Sequence, residues 1–182
     1  MRKKLLVISM LTMTILSMLL IPTTLPKKNL ECPTFVEGVW LYTPQILEAR
    51  VCEGDGDVID VILRTDEVGT MTGGLEGTSY DYPCTVVVHD AVLDESGNII
   101  GFESRYYTGI VNYEGMVGDI YGRMEMIVVG KQKWGEDWYG TWRIVKGYGW
   151  LAHTQGFGIW WGPGFVLGLI EPGEIEYEGW IH

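Results

Sequence analysis

Two glutamates lie in strand-like stretches where a carboxylate could act as a general acid or base. In "FESRY", Glu103 shares one strand face with Arg105 and Tyr107. On the outside of the fold these residues would form an ordinary surface pair. Inside, they would form a buried polar cluster, which a fold rarely keeps without a use. We favour the surface position. Glu125 raises the same alternatives, so both glutamates are catalytic candidates.

His89 is the third candidate for acid–base chemistry. It lies mid-strand beside Asp90 and shares a face with Val87 and Ala91, so its imidazole could point inward. A hydrogen-bonded core histidine is the preferred interpretation, and a catalytic base is the alternative. Cys84 lies at an odd offset from His89, which puts the two side chains on opposite strand faces and argues against a Cys–His nucleophile.

A glycine motif in "VKGYGWLAHTQGFGIWWGPG" raises the question of nucleotide binding. Gly147, Gly149 and Ala152 spell G-x-G-x-x-A, one form of the dinucleotide-binding fingerprint. That fingerprint needs a helix after the glycine turn, because the helix N-terminus holds the phosphates. Gly156 and Gly158 follow too soon for such a helix. We therefore predict a glycine turn between strands, with no nucleotide and no other cofactor.

The acidic and cysteine-containing segments do not form a metal-ligand pattern. "EGDGDVID" invites a calcium interpretation, but Ile59 occupies a position that needs Asp or Asn, so an acidic hairpin is preferred. The three cysteines lie too far apart in sequence for a zinc motif, and we predict no metal site. Outside the cytosol they would give one disulfide and one free thiol. We predict a bridge between two of Cys32, Cys52 and Cys84, with all three pairings open.

Aromatic side chains are the other feature that could bind a ligand, because the chain has eight tryptophans. Such rings either fill a core or line an apolar site. Trp160 and Trp161 point to opposite faces of a strand, so at least one of them is not simple core. The predicted ligand-binding residues are Trp142, Trp150, Trp160 and Trp161.

The 182 residues are enough for one domain with its own core, preceded by a targeting segment. A basic stretch is followed by an apolar run up to Ile21 and then by prolines. This pattern predicts that residues 1–28 are a signal peptide or an uncleaved membrane-anchor helix. Residues 29–37 would be a short linker and residues 38–182 the domain. The protein would then be extracytoplasmic, secreted or anchored, and would contact the membrane only through its N-terminal segment.

The charge of the chain excludes one class of partner. The formal net charge is −11, and five of the 13 basic residues lie in the N-terminal segment, which has no acidic residue. The domain that follows is therefore strongly acidic and repels phosphate backbones. We do not expect nucleic acid as a partner.

The elements that must position these residues are β-strands. No stretch after residue 30 shows a sustained helical period, and about eight strand-like runs alternate with short turns. "DESGN" predicts a hairpin turn between two of these runs. Many short antiparallel strands favour a sandwich or a closed barrel, and glycines within the runs fit the bends of a small barrel. We predict an all-β fold, a small closed antiparallel barrel of about eight strands.

The order of the C-terminal motifs resembles a known family. The chain has Gly-x-Trp-x-Ile at 140–144, Gly-x-Gly-x-Leu-Ala at 147–152, Gly-x-Gly at 156–158 and Tyr-x-Gly at 177–179. In this order the motifs resemble the allene oxide cyclase barrel-like domains, which include uncharacterised bacterial and archaeal proteins related to the DUF3224 family. The resemblance covers residues 38–182. It implies a calycin-like barrel of about eight strands that often forms dimers or trimers.

These observations leave three functions open. The preferred one is an exported, non-catalytic barrel that binds a small apolar molecule or associates with copies of itself as a homodimer or homotrimer. The second is an isomerase or cyclase resembling allene oxide cyclase, in which an apolar barrel and one carboxylate, Glu103 or Glu125, would do the chemistry. The third is a structural cell-surface interaction domain with an exposed aromatic patch.

Overall fold

The computed structural model describes residues 32–53, 59–163 and 173–182. The predicted signal or anchor segment and most of the acidic hairpin of "EGDGDVID" lie outside these ranges. Within them, no helix is long and apolar enough to span a membrane. The same ranges contain nine strands: β1 (Thr34–Glu53), β2 (Ile59–Gly73), β3 (Leu75–Leu93), β4 (Ile99–Gly101), β5 (Ser104–Val117), β6 (Ile120–Lys133), β7 (Trp138–Gly149), β8 (Gly156–Gly162) and β9 (Gly173–Ile181).

Eight of these strands form a closed antiparallel ring. They pair in the order β1-β2-β3-β5-β6-β7-β8-β9, and the pairing of β9 with β1 closes the ring. β4 is a three-residue strand that pairs with the end of β3. The predicted all-β, antiparallel architecture is thus confirmed for the described chain. β1 begins at Thr34, inside the segment that the sequence suggested as a linker.

Alternation along the strands separates an inside from an outside. In β6, Met124, Met126 and Val128 are buried, whereas the side chains between them are partly or fully exposed. In β9, Ile175 and Tyr177 point inward, and glutamates alternate with them on the outer face. This two-residue period is that of strands with one face on a core. The core is therefore the interior of the ring.

Glycines on the inner face make room for tryptophan rings. A Cβ atom on Gly140 would lie 2.3 Å from the Trp160 indole, and one on Gly130 would lie 2.2 Å from the same ring. Gly158 leaves similar space for Trp142, at 2.5 Å. The sequence suggests bends at strand glycines, but these three are positions where a neighbouring side chain approaches the backbone.

The glycine motif at 147–152 forms a turn that fills one end of the ring. Gly149 has a φ of +63°, a left-handed conformation that favours glycine. Leu151 is fully buried, and its carbonyl oxygen would lie 1.7 Å from a Cβ on Gly147. A short turn and then β8 follow. The predicted turn between strands is confirmed, and the helix that a dinucleotide fingerprint requires is missing from this described segment.

The expected inward position of His89 is wrong. Val88 is buried, and His89 lies half-buried on the outer face, where its Nδ1 is 3.1 Å from Asp60 Oδ2. Ala91 is nevertheless buried, because Asp90 has a φ of +51° and the pairing with β2 shifts register here. Such an irregular residue changes the face of the chain, which simple alternation does not show.

The predicted disulfide is absent, because all three cysteines are free thiols. Cys32 is exposed just before β1, and Cys52 lies near the other end of this 20-residue strand. The strand pairing places Cys52 opposite Asp60 but Cys84 opposite Thr65, inside the ring. The thiols therefore lie in separate parts of the fold, whereas a disulfide needs Cα atoms within about 7 Å.

Candidate functional site

Two carboxyl groups lie side by side inside the ring. Glu67 of β2 and Asp81 of β3 are direct partners in the strand pairing, and their exposed fractions are 4% and 0%. The pairing shifts register between Thr65 and Glu67, and that of β3 with β5 shifts between Asp81 and Thr85. Such irregularities redirect side chains within a sheet. Two acids thus occupy positions where buried residues are normally apolar.

Tyr107 of β5 connects this pair to a buried thiol. Its hydroxyl donates a hydrogen bond to Asp81 Oδ2 at 2.8 Å, and Cys84 Sγ lies 3.2 Å from the same hydroxyl. Because the tyrosine hydrogen is directed at Asp81, the thiol is the donor in the second contact. Asp81 Oδ1 is buried without a hydrogen-bond partner among the described residues. A buried oxygen without a donor favours the neutral acid.

Burial makes both acids hard to ionise. Loss of solvation raises the pKa of Glu67 to about 7, although the nearby Tyr107 and Thr65 hydroxyls oppose the rise. Burial, and then the charge of Glu67, raises the pKa of Asp81 to about 8. Burial also raises the pKa of the Cys84 thiol and of the Tyr107 hydroxyl well above their usual ranges. The carboxyl pair therefore keeps at least one proton near pH 7.

A buried guanidinium lies in the same interior. Arg105 Nε donates a hydrogen bond to Gln132 Oε1. The guanidinium carbon lies 5.0 Å from the ring centre of Phe102 and 4.7 Å from that of Trp138, within the range of cation–π attraction. Burial lowers the pKa of Arg105 to about 10, so the group stays charged at neutral pH. Tyr42 lies between the two parts of this interior, because it interacts with both Glu67 and Arg105.

The sequence predicts that Glu103, Arg105 and Tyr107 lie on the surface. This prediction is wrong for two of the three residues. Arg105 and Tyr107 are buried, and Glu103 is exposed. β5 begins at Ser104, so Glu103 lies in a bend before the strand and does not follow its alternation. The alternative, a buried polar cluster, is present, but its carboxyls come from β2 and β3.

A small cavity lies beside Glu67 in the ring interior. The centre of a water molecule could occupy about 20 Å³ of it, which is room for about one water. The wall is almost entirely apolar, and Glu67 is the one acidic residue among those that line it. The lining residues are Trp40, Tyr42, Glu67, Tyr107, Val128, Trp138, Trp160 and Ile175.

A second cavity of the same size adjoins the first and is apolar. Trp40, Val128 and Trp160 line both cavities and so form the partition between them. A ligand larger than a few atoms would have to displace these side chains. The rest of the second wall consists of Met71, Leu75, Val111, Met126, Trp142 and Tyr177.

The four tryptophans predicted to bind a ligand do not lie in one place. Trp160 lines both cavities, and Trp142 lines the second. Each indole N–H donates to a backbone carbonyl, at 3.1 Å for Trp160 and 3.2 Å for Trp142, which orients the ring. Trp150 is exposed in the turn after β7, and Trp161 is half-buried on the outside of β8. The prediction that Trp160 and Trp161 point to opposite faces is confirmed.

The three predicted catalytic candidates lie outside the ring. Glu103 is exposed, and His89 is on the outer face of β3. Glu125 is half-buried on the outer face of β6, where the Tyr148 hydroxyl donates to Glu125 Oε1. None of the three lines either cavity. The acids that do lie inside come from other strands.

Alternation along β2 is the signal that points to the interior acids. Val61, Leu63 and Met71 fall on one face of this strand, and Thr65 and Glu67 fall in the same period. Sequence reasoning missed Glu67 because a charged residue normally marks an exposed face, whereas here the inner face continues through it. Asp81 was missed for the same reason, because the inner face of β3 also continues through an acidic residue.

The interior acids do not form a metal site with a third ligand. Across the part of the chain that the structure describes, no group of three or more His, Cys, Asp or Glu side chains is placed to hold a metal ion. The adjacent Cys84 stays a neutral thiol because burial raises its pKa.

Comparison with known proteins identifies the fold and not an activity. The structure is similar to the crystal structure of a protein of unknown function from the DUF3224 family of Shewanella oneidensis MR-1. The TM-score is 0.56 at 19% sequence identity, and the match covers 83% of this chain and 97% of the other. The chain shares the fold of this DUF3224 protein. The DUF3224 part of the resemblance is thus supported at the level of fold, and the relation to allene oxide cyclase is not.

No protein-family model matches the chain, and no curated protein does. At 19% identity the likeness to the DUF3224 protein says nothing about a shared ligand or reaction. Function has to be argued from the interior site itself.

Proposed function

We propose that the protein binds a small, largely apolar molecule inside its ring of strands. The observation that carries the proposal is the pair of adjoining apolar cavities, the first of which lies beside the buried acid Glu67. This composition is typical of small-molecule sites, in which a few polar groups set the orientation of the ligand. The ring then acts as a small barrel of the kind that holds one ligand.

The buried polar groups support a binding role. Glu67 and Asp81 destabilise the interior relative to apolar side chains of similar size, and Asp81 Oδ1 lacks a hydrogen-bond partner in the described structure. Such groups are retained most often where they serve a site. The alternative function, an isomerase or cyclase, would need Glu67 or Asp81 as its acid, because Glu103 and Glu125 lie outside the ring.

Two neighbouring valines of β6 provide a matched test. Val128→Ile adds a methyl group where both cavities meet, whereas Val129→Ile adds it on the outer face of the same strand. With 1-butanol as the probe in ligand-detected NMR, we expect saturable binding at one site in the wild type and in the Val129 variant. Filling the cavity should weaken binding about fivefold in the Val128 variant, since one displaced methylene-sized group corresponds to about 1 kcal/mol.

Two results would contradict this function. One is equal binding by the Val128 and Val129 variants, because binding would then occur elsewhere. The other is no saturable binding of any member of a panel of small apolar and amphiphilic molecules to the wild type. Native mass spectrometry of freshly purified protein, which would show a bound molecule directly, is the companion measurement.

A second candidate function is self-association through an exposed aromatic row. Phe35 of β1, Trp180 of β9 and Phe157 of β8 are neighbours in the strand pairing and lie on the outer face, with exposed fractions of 44%, 47% and 59%. Phe35 and Trp180 contact each other edge to face, with ring centres 5.3 Å apart. Contiguous exposed apolar side chains mark interaction surfaces. We propose a homodimer or homotrimer that buries this row.

Sedimentation velocity tests this second candidate. Phe157→Glu places a charge in the row, and Val68→Glu places one at a comparably exposed position on β2. We expect the wild type and the Val68 variant to sediment as oligomers and the Phe157 variant as a monomer, because a buried charge opposes association. A monomeric wild type at all concentrations would rule the candidate out.

We also propose that the protein acts outside the cytoplasm. The support for this is the basic and apolar pattern of residues 1–28, which lie outside the described ranges. N-terminal sequencing of the mature protein, combined with cell fractionation, is the test. Loss of the first 20 to 30 residues, or an intact chain in the membrane fraction, agrees with the proposal, and an intact chain in the cytosol contradicts it.

A further inference from the structure

We propose that the ligand carries a positively charged nitrogen, and that this ammonium group lies against the Glu67 carboxylate among the aromatic rings of the first cavity. The inference rests on the proposed binding function and specifies its ligand as a small alkylammonium ion. Four properties of the site support it: its charge balance, its aromatic wall, its size and its protonation.

The interior charges do not balance. Among the described residues the buried charged side chains are Glu67 and Asp81, which lie opposite each other, and Arg105, so two acids stand against one permanent cation. An interior of low polarity tolerates an unbalanced ionised acid poorly. Arg105 balances one ionised carboxylate. The second carboxyl group must either keep its proton or be balanced by a bound cation.

The wall of the cavity is suited to a cation. Trp40, Tyr42 and Trp160 line it together with Glu67. The face of an aromatic ring attracts a positive charge, most strongly for tryptophan and where water is excluded. Arg105 already lies over the Trp138 ring, at 4.7 Å from its centre, so the same cluster holds one cation in this way. A neutral apolar ligand would use the ring surfaces but not the carboxylate.

The size of the two cavities limits the ligand. The first has room for a group of about the size of one water molecule, which is also about the size of an ammonium group. The second cavity is apolar and adjoins it across Trp40, Val128 and Trp160. A short alkyl chain could extend into this space after a small movement of the partition. A primary ammonium with about four carbon atoms would reach from the first cavity into the second and displace side chains of the partition.

Protonation supplies a distinctive signature. The titratable groups that interact with Glu67 are Tyr42 from β1, Asp81 and Cys84 from β3, and Tyr107 from β5. Arg105 of β5 interacts with Tyr42. Of these, the acid pair has pKa values that burial raises to about 7 and 8, so the empty site keeps a proton near neutral pH. A cation that binds beside the carboxylates takes the place of that proton. Binding should therefore release about one proton.

Isothermal calorimetry of the full chain with two isosteric probes tests the inference. Butylammonium chloride and 1-butanol have the same carbon chain and differ in the head group. We expect butylammonium to bind about tenfold or more tightly than 1-butanol near pH 7.5, because the charged head adds both a cation–π and an ionic contact. Titrations in two buffers that differ in ionisation enthalpy should show the release of about one proton.

Glu67→Gln removes the charge at nearly constant shape, and we expect it to abolish the preference for butylammonium over 1-butanol. Glu103→Gln makes the same change at an exposed position and should retain the preference. Equal binding of the two probes to the wild type, or a preference that persists in the Glu67 variant, would overturn the inference and leave the proposed function standing.

Two further outcomes complete the test. If sodium chloride at equal concentration abolishes butylammonium binding by saturating the site, the cluster takes an inorganic cation and the inference is wrong. If neither butylammonium nor 1-butanol binds, both the inference and the proposed function fail.

Discussion

Glu67 and Asp81 are the residues on which this account depends most. They lie opposite each other on β2 and β3, both buried, with Tyr107 donating a hydrogen bond to Asp81. Two acids in such an interior cannot both ionise readily, because burial and mutual repulsion both favour the neutral form. Their protonation state therefore links the pH of the solution to the stability of the fold.

The free energy of unfolding should fall as the pH rises from about 5 to about 8. The folded protein raises the pKa values of Glu67 and Asp81 to about 7 and about 8, whereas unfolded acids titrate near 4. In this window the folded state holds more protons than the unfolded state, so raising the pH favours unfolding. The decrease is about 1.4 kcal/mol per pH unit for each extra proton held. Urea denaturation at a series of pH values measures it.

Matched variants show whether Glu67 and Asp81 cause this pH dependence of stability. Asp81→Asn and Glu67→Gln should each flatten the pH dependence, and Glu103→Gln should retain it because Glu103 is exposed. Below about pH 4 the trend should turn, since the hydrogen bonds that lower the pKa of Asp94 are lost when that acid is protonated. A wild-type stability that stays constant or rises between pH 5 and 8 would contradict this account.

The three thiols should differ in reactivity. Cys32 is exposed and Cys52 half-buried, while Cys84 is fully buried and burial raises its pKa, so it is neither accessible nor ionised. Iodoacetamide labelling followed by mass spectrometry should modify Cys32 first and Cys84 only after unfolding in denaturant. A reducing agent should leave the melting temperature unchanged. Rapid native labelling of Cys84, or a disulfide that involves Cys84 in the purified protein, would show that the interior is arranged differently.

Among the strands, glycines of β6 and β7 leave space for the Trp160 ring, and a substitution that fills this space tests their role. A Cβ on Gly140 would lie 2.3 Å from the Trp160 indole and 2.2 Å from Val129 O. Gly140→Ala should therefore lower the free energy of unfolding by about 1–3 kcal/mol and shift the tryptophan fluorescence, as overpacking displaces the ring. Chemical denaturation gives the change in stability.

Gly101→Ala is the matched control for this substitution. The nearest atoms to a Cβ at Gly101 lie 3.9 Å away, in ordinary contact, so the change should alter stability by less than about 1 kcal/mol. Equal effects of the two substitutions would mean that Gly140 does not provide space for Trp160.

The faces of most strands could be predicted from alternation, and the exceptions have identifiable causes. The inner positions of Trp142 and Ile175 follow directly from a two-residue period. The position of His89 does not, because the left-handed Asp90 changes the face of β3 beyond it. Arg105 was assigned to the wrong side because β5 begins after Glu103. Strand starts and irregular residues depend on tertiary pairing, which a local pattern does not contain.

At the scale of the whole molecule, the sequence predicts the class of fold better than the site. Many short strands, turn signals and the ordered C-terminal glycine motifs indicate a closed antiparallel arrangement, and the described chain forms a ring of eight strands. The site could not be predicted in the same way. It depends on Glu67, Asp81 and Tyr107, which are far apart in sequence and meet only because β2, β3 and β5 are adjacent in the ring.

A small molecule that binds inside the ring should change the indole N–H signals of the tryptophans near it, of which the chain has eight in total. We would titrate the ¹⁵N-labelled protein with butylammonium and, separately, with 1-butanol. We expect saturable shifts for Trp40, Trp138 and Trp160, which line the first cavity, and little change for the exposed Trp134 and Trp180. Shifts confined to the exposed tryptophans, or no saturable shift with either probe, would contradict binding inside the ring.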